Sequence, residues 1–174
     1  DPAVSIRENF FTEQIEILRG PASSYAGRGT AGGAINIVTK QAGDRNFYNA
    51  ETTFGTDHTK RVTLDVNQVI SPTFSIRTGG MFQDANVAGR NYVTDDRWGG
   101  FISTKWTPTD SIKITTNYVH TDLSGLPDFG VPWYRQGNTP VTEAGIPRQN
   151  WYGFVNRDFQ TARQDFGTLT GEFK

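Results

Sequence analysis

Ile15-Glu-Ile-Leu-Arg-Gly-Pro-Ala-Ser-Ser-Tyr-Ala-Gly-Arg-Gly-Thr-Ala-Gly-Gly-Ala-Ile-Asn-Ile-Val-Thr39 sets two apolar runs on either side of a segment dense in glycine, serine and other small residues. It reads as strand, short helix, glycine loop, strand. Ile15, Ile17 and Leu18 form a β-type run, Pro21 suits the first position of a helix, and Gly27 suits the left-handed residue just past its end. That leaves room for little more than one helical turn. Arg28-Gly-Thr-Ala-Gly-Gly33 then gives the backbone freedom to reverse before Ala34, Ile35, Ile37 and Val38 resume a strand.

Upstream, residues 1–12 are mostly polar with an aromatic pair, Phe10-Phe11, and read as a packed loop leading into the first strand. Downstream, from Phe47, the texture changes to period-two alternation broken by turns, the mark of half-buried antiparallel strands. About six are expected. Ala50, Thr52 and Phe54 oppose Glu51 and Thr53; Val62, Leu64 and Val66 oppose Arg61, Thr63, Asp65 and Asn67; Phe74, Ile76 and Phe82 oppose Ser75, Arg77, Met81 and Gln83. A fourth strand near 97–107 sets Ile102 and Trp106 against Ser103 and Lys105. A fifth sets Ile112, Ile114 and Tyr118 against Lys113, Thr115 and Asn117, and a sixth, from Phe166, sets Leu169 and Phe173 against Thr170 and Glu172.

The longer connections, 84–96 and 123–163, fall on one side of this meander, and the tight turns at 71–73 and 108–110 on the other. A membrane barrel has that parity, with long outer loops and short periplasmic turns. Arg61, Asp65, Arg77, Lys105, Lys113 and Glu172 all take the polar face and none the apolar one. A bilayer demands this of its lipid face and a soluble sheet demands it of its core, so both remain open here. Trp98 and Trp106 suit either an aromatic girdle or a core.

The chain has 174 residues, with nineteen Gly, twelve Phe, six Tyr and four Trp, yet a mean hydropathy of -0.53. No run approaches the roughly 18 apolar residues of a membrane helix. The opening Asp1-Pro2 does not resemble a signal peptide: either processing has removed one or, the preferred expectation, the chain begins within a longer protein. A net charge of -1 with scattered basic residues argues against a nucleic-acid surface. Absence of cysteine removes thiolate chemistry. His58 and His120 belong to no ligand spacing, and Ser23-Ser24 lack a nucleophile elbow; no catalytic residue and no protein metal site are expected.

Leu18-Arg-Gly-Pro21, the serine-rich turn, an aromatic before Gly27, then Gly32-Gly33, Ile35-Asn36 and Val38-Thr39-Lys40 resemble the end of the plug domain of TonB-dependent outer-membrane receptors. The resemblance makes Arg19, Gly20, Pro21, Gly27, Gly32, Gly33 and Asn36 structural motif residues. It also implies that the plug fills a barrel of about 22 strands, binds a scarce nutrient at its outer apex, and is rearranged by the energised TonB protein. The family's usual Leu-Tyr before the glycine is Tyr25-Ala26 here, so only Tyr25 stays as a candidate ligand contact from that position. Gly130-Val-Pro132, then Trp151-Tyr-Gly153 with Arg157-Asp158 beyond, are similar to the early barrel of ferric siderophore receptors, catecholate types especially.

The reading is therefore a mainly β chain: the C-terminal part of an α/β plug over 1–43, then, over 44–174, about six antiparallel strands of an incomplete transmembrane barrel. The implied function is TonB-energised transport of a ferric siderophore across the bacterial outer membrane, in a multi-pass protein bounded by lipid. The segment that would contact TonB lies outside this chain. No cofactor is expected, because iron arrives already chelated. Candidate ligand residues are Tyr25 and Arg28 near the glycine loop, and Trp133, Tyr134, Arg135, Arg148, Trp151 and Tyr152 in the long loop, where aromatic faces and guanidinium groups suit an aromatic anionic chelate. Arg28 has a second role open to it, a salt bridge to wall carboxylates such as Glu51 and Asp65. The rivals are a receptor for cobalamin, haem or a glycan, and a soluble β-sandwich binding module.

Overall fold

The computed structural model describes residues 8–20, 32–134 and 137–174. The short helix expected after Pro21 and most of the glycine turn lie outside them. The two apolar runs of the opening stretch form an antiparallel hairpin, Thr12–Arg19 (β1) with Gly33–Thr39 (β2), with Ile15 opposite Ile37 and Ile17 opposite Ile35. At its neck Gly20 takes φ 95° and Gly33 φ 139°, in the region that L side chains rarely adopt. A Cβ at Gly33 would also stand 2.3 Å from the Leu18 carbonyl oxygen. Across the pair, Asn36 Nδ2 donates to Glu16 Oε2 at 2.8 Å.

Six strands follow in one antiparallel sheet: Phe47–Phe54 (β3), Lys60–Ser71 (β4), Phe74–Asp84 (β5), Asp96–Thr109 (β6), Ile112–Gly125 (β7) and Gln160–Phe173 (β10). Each pairs with its neighbour in the chain, so the sheet is an uninterrupted meander. Between β7 and β10 lie a two-residue ladder, Trp133–Tyr134 (β8) with Thr139–Pro140 (β9), and a 3-10 turn at Val141–Ala144.

The sheet is inside out. The face that packs on the N-terminal segment carries Asp65, Asn67, Ser75, Arg77, Ser103, Thr115, Asn117 and Thr121, all buried, while Leu64, Phe82, Ile102, Tyr118, Leu169 and Phe173 on the other face are exposed. A water-soluble sheet would bury the second set and expose the first. Trp98 and Trp106 also point outward and are exposed, which removes the core alternative for both.

Strand bounds differ from expectation at the loop end. Strand β7 runs on to Gly125 and β10 begins at Gln160, so the long loop is 126–159 rather than 123–163. The extensions carry charge on the outward face, contrary to the expectation that none would lie there. Asp122 meets Arg163 at 2.9 Å, and Asp165 Oδ1 accepts from the Tyr118 hydroxyl at 2.6 Å and lies 2.7 Å from His120 Nδ1. The physical reason is length. A tilted strand needs about 9–11 residues to cross hydrocarbon, whereas β6, β7 and β10 have 14 each. The outward charges gather at the loop end of these long strands, and there they pair with each other.

Candidate functional site

Two regions concentrate chemistry: the seam between the N-terminal segment and the polar wall, and the loops at the far end of the strands.

At the seam, Phe10 is buried against Met81, Phe101 and Val119, with its ring 6.2 Å from that of Phe101. Glycine makes the space, since a Cβ at Gly99 would come within 2.9 Å of the Phe10 ring. Phe11 meets the Phe166 ring edge-on at 5.4 Å. Around this apolar centre the contacts are ionic. Glu8 pairs with Arg61 at 2.9 Å and with Arg97 at 2.5 Å; Glu13 pairs with Arg77 at 2.8 Å; Lys40 pairs with Asp65 at 2.8 Å; and Asp44 pairs with Lys105. Burial pushes the Glu8 carboxyl up, but hydrogen bonds from Arg61 and Arg97 outweigh it and hold the group below the ordinary range. The backbone joins in, with Ala42 N–H donating to Ser103 Oγ at 3.1 Å and Gly43 N–H to Asn67 Oδ1 at 2.8 Å.

A cavity of about 600 Å³ opens beside Phe10, lined by Lys40, Glu51, Arg61 and Asp65 among others. Asp65, offered above as a partner for Arg28, is already held by Lys40 and by both fork nitrogens of Arg77. Tyr25, Arg28 and Arg135 lie outside the described residues.

In the loops, Trp133 and Tyr134 form β8 and stand open, 65% and 49% exposed. Arg148 and Tyr152 are exposed as well. Trp151 differs: its indole N–H donates to the Pro127 carbonyl at 2.9 Å and its ring lies 6.1 Å from Tyr92, so it packs the loop itself. Among the described residues, no hydrogen bond, ion pair or ring contact joins Trp133 to the Arg148 guanidinium. The organiser was not among the sequence candidates. Arg90, in the 85–95 loop, donates to Asp128 Oδ1 at 2.6 Å and Oδ2 at 2.9 Å, to the Gly130 carbonyl at 3.0 Å and to the Arg148 carbonyl at 2.5 Å. Its partners lie 38 to 58 residues away, and no local motif marks it. Among the described residues, no cluster of His, Cys, Asp or Glu could hold a metal ion.

Known proteins share this architecture and sequence. A probable TonB-dependent receptor of Bordetella pertussis, BfrD, is 33% identical over 160 residues, covering 91% of this chain and 22% of its own length. The catecholate siderophore receptor Fiu of Escherichia coli K12 is 31% identical, covering 95% of this chain and 23% of its own length. This chain belongs to the TonB-dependent receptor family.

The crystal structure of the siderophore receptor PiuA from Acinetobacter baumannii superposes with a TM-score of 0.86 at 29% identity, over 97% of this chain and 24% of that one. No family model matches the chain. These relatives are receptors, not enzymes, and the chain spans about a quarter of their length. Membership also decides between the two architectures left open by alternation: the wall is part of a receptor barrel, not one sheet of a soluble sandwich.

Proposed function

We propose that the chain is part of an outer-membrane receptor that takes up a ferric siderophore of catecholate type, driven by the TonB system. The observation that carries this is the inverted wall, polar and buried inside, apolar and exposed outside, in a chain 31% identical to a receptor named for catecholate siderophores. On this reading residues 1–43 are the end of the plug and 44–174 the first barrel strands. The outward face meets outer-membrane lipid on several passes. Iron needs no protein ligand because the siderophore oxygens already surround it, so the receptor acts by gripping the organic shell of the chelate.

Within that reading, Trp133, Tyr134 and Tyr152 offer ring faces, and Arg148 and Arg28 offer guanidinium groups to an anionic chelate. The test is a growth rescue screen in an iron-starved strain whose only siderophore receptor is the full-length protein, with ferric siderophores supplied one at a time. Growth on ferric catecholates and not on hydroxamates is the expected result. Rescue only by haem or cobalamin would replace the substrate class.

Arg28→Ala separates the two roles of that residue in one preparation. A ligand contact of a charged hydrogen bond contributes roughly 1.5–3 kcal/mol, so affinity should drop about tenfold to a hundredfold with unchanged thermal stability. Lowered stability with intact affinity would assign it to the wall instead.

A further inference from the structure

We propose that Arg90 is a positioning residue for ligand capture, a fork that joins two outer loops into one preformed surface without touching the ligand. The inference rests on the siderophore-receptor reading above. Arg90 lies in the connection between β5 and β6, and its acceptors lie in the connection between β7 and β10, at the same end of the sheet. Its side chain is only 7% exposed, although it sits in a loop. Asp128 and Gly130 come just before the exposed pair Trp133–Tyr134, while Arg148 comes just before Trp151 and Tyr152. One guanidinium therefore gathers both ends of the stretch that carries the loop candidates.

Neighbouring contacts use the same junction. Asn91 N–H donates to the Gln149 carbonyl at 2.9 Å, and Tyr92 packs on Trp151, which is itself bonded to Pro127. Without the fork, a 126–159 loop would have to be ordered when ligand binds, and that ordering subtracts from affinity. Lysine cannot replace it, since an ammonium carries its three donors on one atom, with no planar pair for Asp128 and no reach to both carbonyls at the same time.

The experiment uses the full-length receptor in detergent, with the iron(III) complex of 2,3-dihydroxybenzoate as probe and a dye on Thr142→Cys to report loop mobility. Arg90→Ala and Arg90→Lys should each weaken binding about tenfold and lower the dye's anisotropy, with thermal unfolding of the barrel unmoved. Asp128→Asn, which opens the fork from its other side and keeps Arg90 in place, should shift both readings in the same direction. Full affinity in Arg90→Ala would overturn the proposal. So would full recovery in Arg90→Lys, because charge alone would then suffice. If the wild-type receptor binds no ferric catecholate at all, the uptake reading itself falls, an outcome distinct from binding that is equal in wild type and variant.

Discussion

Arg77 and Arg90 use the same chemistry in two regions with different neighbours. Arg77 places Nε and Nη2 on the two oxygens of Asp65 at 2.9 and 2.8 Å, and Nη1 on Glu13 and on the Gln41 carbonyl. Arg90 places its fork on Asp128 and its remaining donors on two carbonyls. Arg77, however, stands on β5, where ladders to β4 and β6 already fix its position and the Phe10 cluster lies on the same face. Arg90 follows Gly89, which takes φ 69°, in a loop that makes no ladder longer than the Asn86–Thr94 bridge. A fork added to a sheet holds a second segment against a surface that exists without it. In a loop, the same fork creates the surface. Substitution at the seam should thus be read in stability, and substitution at the loop in affinity.

The largest effect tests whether the Arg90 loop lies on the outer side of the membrane, as ligand capture requires. An epitope inserted at Gly137 in the full-length protein should be labelled on intact cells, and one inserted at Thr109, at the turn between β6 and β7, should not. Labelling at Thr109 alone would invert the barrel and turn the Arg90 loop toward the periplasm.

Next in size is Asp65→Ala. It leaves the Arg77 guanidinium, 10% exposed, without its paired acceptor, and strands Lys40 as well. Breaking a buried ion pair by removing one partner costs about 3 kcal/mol or more. The detergent-solubilised receptor should unfold at a clearly lower temperature and keep its ferric catecholate affinity. Lost affinity at unchanged stability would erase the distinction between seam and loop.

Strand β4 was legible because Val62, Leu64 and Val66 alternate with Arg61, Thr63 and Asp65, and the hairpin neck because glycines stand where the backbone needs positive φ. The upper ends of β7 and β10 were not, because His120, Asp122, Arg163 and Asp165 face outward there. At this end the ladder continues, but the hydrophobic alternation that signals a strand does not. The seam's ion pairs were half visible: the wall charges could be placed on the polar face, but Glu8 and Glu13 could not be assigned as their partners. Arg90 was invisible, since its value depends on which residues of a remote loop fold back to it. The same holds for Trp151, whose type suggests ligand stacking and whose bond to Pro127 shows packing.

The smallest predicted effect is a pH dependence confined to the loop. The Arg90 hydrogen bonds hold the Asp128 carboxyl below its ordinary range; partial burial opposes this, and the Gly130 N–H adds to the lowering. A carboxyl depressed in the folded loop contributes its full stabilisation above the ordinary value of about 3.9, and that contribution is lost as pH falls through the lower, folded value. Asp128 is 31% exposed, so solvent screens the pair and the gain is modest. Anisotropy of a dye on Thr142→Cys should therefore stay level from pH 7 to about pH 4 and decline only below it. In Asp128→Asn it should start lower and show no such step. A decline already complete by about pH 5.5 would implicate a group titrating in the histidine range, and the Arg90–Asp128 fork would then not be what holds the loop.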